Sequence, residues 1–190
     1  MGNDIIACAI EYVQELFRDN ADGHDADHSI RVYRNAIHIA KEYPSCSMQI
    51  VSLGALLHDV HDYKLFQTEN NANARRFLSS EHIDDETAET ICKVINGVSF
   101  SKNRDKKPET LEGQIVQDAD RLDAMGAIGI ARAFAFGGKR GRAIDVSIQH
   151  FYEKLLLLER LMNTDMAKKI ARERHQYMLD FLREYEKETN

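Results

Sequence analysis

The sequence contains few residues that interrupt helices and no cysteine pattern that would hold a small fold together. Only 2 prolines and 10 glycines occur among its 190 residues, and the many Ala, Leu, Glu, Lys and Arg residues favour helix over sheet. The three cysteines, Cys8, Cys46 and Cys92, are odd in number, widely spaced and form no C-x-x-C pair. This usage argues against a disulfide framework or a zinc knuckle and predicts a reducing compartment.

Long apolar runs and an excess of basic charge are also missing. No stretch approaches the roughly 20 apolar residues that span a bilayer, and the short apolar run near the N-terminus is unlike a signal peptide. We therefore expect a cytoplasmic protein with no membrane partner. The 25 basic and 31 acidic residues give a formal net charge of −6 without a broad basic face. That balance argues against long nucleic acid and is compatible with a small phosphorylated ligand.

Apolar residues recur at helical spacing along the chain, whereas the alternation typical of strands does not. The sequence therefore predicts an all-α protein, and its length of 190 residues predicts a single domain over residues 1–190. The predicted helices cover about 5–17, 28–43, 48–58, 71–80, 85–96, 110–135 (as one helix or two abutting ones), 145–161 and 165–187. Residues 98–108 are predicted to form a polar loop. The predicted N-caps are Asn3, Ser45 or Ser47, Asp84, Asp145 and Thr164.

Residues 56–62, Leu-Leu-His-Asp-Val-His-Asp, place adjacent His58 and Asp59 where an apolar helix ends. Consecutive helical residues point about 100° apart, so both side chains can reach one ion only at a helix end or in a sharp bend. A neutral imidazole and a carboxylate are both ligands for divalent cations. The alternative is that Asp59 caps a following turn and His58 packs in the core.

Three aspartates, Asp118, Asp120 and Asp123, lie within residues 118–123 on a helix that is otherwise largely apolar. Buried carboxylates are costly unless they are paired or bind a metal, and Arg121 alone cannot easily neutralise three of them. The alternative is an exposed, salt-bridged edge of the helix. The positions of the three aspartates around the helix do not show which of them would bind a metal, because apolar neighbours indicate that the helix is buried on more than one side.

An earlier segment contains His28 and, three residues later on the same helical face, Arg31. His28 would complete a mixed nitrogen and oxygen site with His58, Asp59 and a later aspartate. The negative charges of the two carboxylates would balance the two positive charges of a divalent cation. This donor set suits one Mn²⁺, Fe²⁺, Co²⁺, Ni²⁺ or Zn²⁺ ion, or Mg²⁺ with waters in the remaining positions. Arg31 would place a guanidinium near a metal-bound phosphate.

These segments resemble a known family. H-x-x-R-V at 28–32, H-D at 58–59 and D-A-D-R-L-D-A-x-G-A-I-G-I-A-R at 118–132 look like the HD-domain metal-dependent phosphohydrolases, more narrowly the stand-alone bacterial HD proteins with this Asp-rich signature. The resemblance implies an HD-domain bundle of about eight to ten helices, with a metal-site core at about 20–145 and a helical extension at about 145–188. The metal ligands that it implies are His28, His58, Asp59 and Asp120.

The same resemblance implies that Asp118 and Asp123 orient the ligands or the neighbouring helices. It further implies hydrolysis of a phosphomonoester or pyrophosphate bond in a small phosphorylated substrate, a nucleotide. The residues expected to act on the substrate are Arg31, Lys64 and His24 for phosphate binding and Asp59, Arg31, His61 and Asp62 for catalysis. The chain departs from the H-D-I-G-K sequence of many HD proteins, so the roles of that Gly and Lys are not carried over.

Three alternatives share part of this pattern. A cyclic-nucleotide or other phosphodiesterase would use the same metal site, and a non-catalytic HD module would sense a nucleotide without hydrolysing it. A helical interaction protein with incidental histidines would bind no metal. The apolar C-terminal helices would serve either the core or a homodimer interface.

Overall fold

All regular secondary structure in the part of the chain that the structure describes is helical. The computed structural model describes residues 4–18, 26–60 and 70–189, and these ranges contain no β-strand. The prediction of an all-α protein is confirmed. None of the described helices is both long enough and apolar enough to cross a membrane.

The helix boundaries follow the predicted ones closely in the first half of the chain. The α-helices of the described residues are α1 (Ile5–Leu16), α2 (Ala26–Ala40), α3 (Met48–Leu57), α4 (Ala72–Ser80), α5 (Asp85–Val98), α6 (Phe100–Asn103), α7 (Leu111–Asp123), α8 (Gly126–Lys139), α9 (Ile144–Glu153) and α10 (Asp165–Thr189). Two 3₁₀ helices, Leu155–Leu157 and Glu159–Leu161, connect α9 to α10.

The structure differs from the predicted elements at three places. The segment 110–135 forms two helices, α7 and α8. The predicted loop at 98–108 contains the short helix α6, because Phe100 packs against the core. The single helix predicted at 145–161 is wrong, since α9 ends before two 3₁₀ helices. A 3₁₀ turn aligns residues three apart, and Leu155 and Leu158 are accordingly both buried.

Most of the predicted helix caps are present, although Asn3 lies outside the described residues and α1 is capped by Asp4. The side chains of Ser47, Asp84 and Thr164 each accept a hydrogen bond from the backbone N–H three residues on, which satisfies a donor that the first helical turn leaves unpaired. Asp145 was predicted wrongly as a cap. Because α9 begins at Ile144, the Asp145 side chain lies within the first turn of the helix.

Helices α2, α3 and α7 pack against one another at the centre of the fold. Every residue of α3 from Val51 to Leu57 is buried, because α1 and α5 also pack on this helix. Burying one Leu side chain contributes roughly 1.5–3 kcal/mol. This packing brings the end of α3 beside α2 and α7, where the predicted metal ligands lie.

The turn between α7 and α8 depends on glycine. Gly126 has a φ of 68°, in the left-handed region that glycine adopts readily. A Cβ atom on Gly129 would lie 2.3 Å from the backbone carbonyl oxygen of Ala124. The absence of a side chain at Gly129 therefore lets α8 return closely past the end of α7.

We expect Gly129→Ala to lower the free energy of unfolding by about 2–3 kcal/mol, since the new methyl group overlaps a backbone atom that cannot move alone. Gly138→Ala is the matched control in the same helix, because no atom lies within 4 Å of its Cβ position. The control should be neutral or stabilising by up to about 0.5–1 kcal/mol. Urea denaturation followed by circular dichroism measures both, and equal stabilities would contradict the assigned close contact.

The C-terminal segment is bonded directly to α7. The fully buried Asp118 carboxylate accepts hydrogen bonds from the backbone N–H groups of Asn163 and Thr164, each at 2.8 Å. It also accepts from the Thr164 hydroxyl at 2.7 Å and from the Asn163 amide at 2.8 Å. A carboxylate at the start of a helix also interacts favourably with the helix dipole. Asp118 therefore fixes the beginning of α10 against the helix that carries Asp120.

We expect Asp118→Asn to destabilise the protein by about 2–4 kcal/mol, because the new amide would direct a donor at the donors of Thr164 and Asn163. Asp165→Asn, in the first turn of the same helix, changes a side chain that is 94% exposed and should cost less than about 0.5 kcal/mol. The measurement is again urea denaturation. Similar losses for the two variants would exclude the anchoring role of Asp118.

Candidate metal centre

Four polar side chains from three segments converge at the end of α3. His28 comes from α2, His58 and Asp59 follow α3, and Asp120 comes from α7. The Nε2 atoms of His28 and His58 are 3.2 Å apart. The Asp59 Oδ2 atom lies 3.5 and 3.4 Å from these two nitrogens, and the Asp120 Oδ1 atom lies 3.4 and 3.8 Å from them. The structure thus brings together the four residues predicted as ligands.

The two imidazoles and the two carboxylates differ in exposure. His28 and His58 are buried, whereas the side chains of Asp59 and Asp120 are 16% and 22% exposed. The carboxylates therefore form the side of the cluster that faces solvent.

Hydrogen bonds at the far side of each ring assign the tautomers. The Nδ1 atom of His28 is 2.7 Å from the Asp123 carboxylate, and the Nδ1 atom of His58 is 2.8 Å from the Ala55 carbonyl oxygen. Both partners are acceptors, so both Nδ1 atoms carry the proton in the neutral rings. Two Nε2 lone pairs then face each other, an arrangement that requires a proton or a cation between them.

The separations of the ligand atoms fit a divalent ion. At metal–ligand bonds of about 2.1 Å, neighbouring ligands lie about 3.0 Å apart in an octahedron and about 3.4 Å apart in a tetrahedron. The ligand atoms of His28, His58 and Asp120 all lie within 4.8 Å of one another. Two imidazoles and carboxylate oxygens suit Mn²⁺, Fe²⁺, Co²⁺, Ni²⁺ or Zn²⁺. The fold and the cluster together define a helical protein with a His/Asp cluster that could hold a metal ion.

The carboxylates also control the charge of His58. Burial alone would lower the pKa of this imidazole, but the neighbouring Asp59 and Asp120 carboxylates raise it to about 9. Burial alone would conversely raise the pKa of Asp120, but its contact with His28 and the neighbouring charge of His58 hold the pKa below its usual value. A proton therefore occupies the cluster at neutral pH when a metal does not.

Asp123 connects the cluster to two arginines. This carboxylate is 2% exposed, and it accepts hydrogen bonds from Arg31 Nε at 2.8 Å and Arg31 Nη2 at 3.1 Å. Arg132 Nη1 donates to it at 2.6 Å. Burial raises the pKa of Asp123, but His28 and the two guanidinium groups more than reverse that effect and hold the carboxyl ionised. The predicted substrate contact of Arg31 stays a prediction, since its guanidinium here binds Asp123.

Arg132 is a residue of the site that the sequence analysis did not single out. It is the last residue of the 118–132 motif, and this position is the one feature of the sequence that indicates a role for Arg132 in the site. Nothing in the spacing of α8 indicated that the Arg132 side chain reaches back to α7.

Arg121 was expected to neutralise one of the aspartates. It instead donates to the carbonyl oxygens of Leu161, Asn103 and Arg104.

The remaining predicted site residues are His24, His61, Asp62 and Lys64. All four lie outside the described residues. Their predicted roles in phosphate binding and proton transfer stay predictions.

Comparison with known proteins agrees with this geometry. The HD domain family matches residues 25–125. The Bacillus subtilis protein YpgQ is 40% identical over 185 residues, covering 93% of this chain and 90% of YpgQ. The crystal structure of YpgQ in complex with ADP has a TM-score of 0.80 at 34% identity, covering 97% of this chain and 94% of that one. The crystal structure of an HD-superfamily hydrolase from Bacillus thuringiensis has a TM-score of 0.82 at 37% identity, with 100% and 99% covered.

The chain therefore belongs to the HD domain family, and its fold is that of the HD-superfamily hydrolases. The matched region contains His28, His58, Asp59 and Asp120. The helices α8, α9 and α10 lie beyond the matched residues, although Asp118 bonds α10 to the helix that carries Asp120.

We expect metal binding to release about one proton at pH 7, because a metal ligand must be deprotonated and His58 holds its proton up to a pKa of about 9. Below about pH 9 the proton on His58 competes with the metal. The affinity for Mn²⁺ should therefore rise about tenfold per pH unit from pH 6 to 8 and level off above about pH 9. Calorimetric titration in buffers of different ionisation enthalpy counts the protons. An affinity independent of pH over this range would contradict the assigned charge of His58.

Proposed function

We propose that this protein is a metal-dependent phosphohydrolase that cleaves a phosphomonoester or pyrophosphate bond in a small phosphorylated substrate, a nucleotide. The observation that carries the proposal is the convergence of two imidazole nitrogens and two carboxylates at one solvent-facing point. Such a donor set leaves positions for water and for a phosphoryl oxygen when a six-coordinate ion is bound.

The residues of the chain supply the binding and orientation. His28 and His58 would hold the ion through Nε2, and Asp59 and Asp120 would hold it through carboxylate oxygens. The bound divalent ion would lower the pKa of a water molecule and polarise a phosphoryl oxygen. The burial of both imidazoles keeps water away from the inner side of the ion, so substrate and attacking water would meet on the side of the carboxylates.

A nucleotide substrate is supported by a relative. The YpgQ crystal structure contains ADP, and its chain shares 34% identity and the same fold with this protein. For phosphate binding we propose Arg31, Lys64 and His24, and for proton transfer His61 or Asp62 near Asp59. These assignments derive from the family resemblance and from the position of the residues beside the metal ligands in the sequence.

We expect hydrolysis only in the presence of a divalent metal. The test measures products from nucleoside mono-, di- and triphosphates and from bis(p-nitrophenyl) phosphate, with metal-stripped protein resupplied with Mn²⁺, Mg²⁺, Co²⁺, Ni²⁺ or Zn²⁺. Phosphate and pyrophosphate are resolved separately. Asp120→Ala and His58→Ala should each lower kcat/KM at least about 10³-fold, because the ion that activates water is lost. Asp180→Ala, an exposed change in α10, is the control and should retain activity.

The same experiment separates the alternatives. Turnover of bis(p-nitrophenyl) phosphate alone would favour a phosphodiesterase. Tight nucleotide binding without turnover under any metal would contradict the hydrolase and favour a nucleotide-sensing module. Absence of stoichiometric metal in protein purified under non-chelating conditions, together with no binding on resupply, would leave a helical interaction protein.

A further inference from the structure

Asp123 lies on the side of the His28 ring that is opposite to the metal-binding nitrogen. Its Oδ2 atom contacts His28 Nδ1 at 2.7 Å, while Nε2 of the same ring points into the cluster. A carboxylate in this position fixes the tautomer and the rotation of a histidine ligand. The direction of the His28 lone pair therefore depends on where the Asp123 carboxylate is held.

Two guanidinium groups hold that carboxylate, and they come from different helices. Arg31 of α2 donates to both oxygens, and Arg132 of α8 donates to Oδ2, the oxygen that also contacts His28. The same Arg132 nitrogen lies 3.4 Å from the backbone carbonyl oxygen of Asp123. Arg132 thus contacts both the backbone and the side chain of the residue that orients the ligand.

We propose that Arg132 is a positioning residue of the metal centre, which acts through Asp123 to direct the Nε2 lone pair of His28 at the metal. The proposal rests on the metal binding that the proposed function requires, but it does not depend on the substrate. Arg31 cannot substitute for Arg132, because it shares its helix with His28 and moves with it. Arg132 instead holds Asp123 from a different helix, α8. The position of Asp123 relative to His28 therefore depends on how α2, α7 and α8 are placed against one another.

Electrostatics favour the same arrangement. Asp59, Asp120 and Asp123 bring three carboxylates near one pair of imidazoles, and Asp123 is almost fully buried. Without its guanidinium partners, the Asp123 carboxylate would be an under-compensated buried charge that gains by rotating toward solvent. Any such rotation removes the acceptor from His28 Nδ1. The contact at 2.6 Å with Arg132 opposes that rotation.

The experiment compares Arg132→Met, Arg132→Lys, Asp123→Asn and the double variant Arg132→Met/Asp123→Asn. Arg140→Met is the matched control, since Arg140 is an exposed arginine two turns further along the chain that lies over Phe136. Mn²⁺ affinity is measured by electron paramagnetic resonance without substrate, and thermal unfolding of the metal-free proteins checks folding. Activity at saturating metal then separates KM from kcat.

Arg132→Met should weaken Mn²⁺ binding about 10-fold or more, as substitutions behind a histidine ligand do. Arg132→Lys should recover part of the loss, because an ammonium can still donate to Asp123. The double variant should lose no more affinity than Asp123→Asn alone, since both changes break one connection. Arg140→Met should leave the affinity unchanged.

Unchanged Mn²⁺ affinity in folded Arg132→Met, with a raised KM, would overturn the proposal and assign Arg132 to the substrate. Losses that add in the double variant would also overturn it. Wild-type protein that binds Mn²⁺ but hydrolyses nothing would refute the phosphohydrolase only. The loss of affinity in Arg132→Met would still support the positioning role in that case.

Discussion

The proximity of two buried imidazoles is the constraint on which the rest of this structure depends. The Nε2 atoms of His28 and His58 face each other at 3.2 Å, and hydrogen bonds on the opposite side of each ring direct their lone pairs inward. Such an arrangement is unfavourable unless a proton or a metal cation lies between the two lone pairs. The packing of α2, α3 and α7 maintains it, because α3 is buried along most of its length and cannot shift without breaking the core.

The charged residues of the long Asp-rich motif each have a different partner in the structure. Asp118 holds the start of α10, and Asp120 faces the metal cluster. Arg121 binds backbone carbonyl oxygens of neighbouring segments, and Asp123 orients His28. One helix therefore carries a predicted metal ligand, the support of a second predicted ligand and the anchor of the C-terminal helix. Changes at positions that touch no metal should consequently affect the metal centre.

This arrangement also explains how buried charge is tolerated in the middle of the fold. Most buried polar groups of α7 are compensated by a group of opposite character, whether guanidinium, backbone N–H or carbonyl oxygen, although the buried Nε atom of Arg121 has no hydrogen-bond partner among the described residues. Compensation of this kind costs little net stability but strongly penalises the loss of one partner. The buried polar groups of α7 thus mainly orient side chains and neighbouring helices. The apolar contacts of α3 contribute the stability.

The sequence by itself determined the helical class, most helix boundaries, the family and the four residues that converge in the candidate metal cluster, because these follow from local periodicity and from motifs that are continuous in the chain. Tertiary structure alone decided that Asp118 holds a neighbouring helix and that Asp123 orients a histidine, and it placed Arg132 in contact with Asp123. It also decided the 3₁₀ helices that bury Leu155 and Leu158. Helical phase states only the direction in which a side chain leaves its own helix. What that side chain meets depends on neighbouring helices distant in sequence.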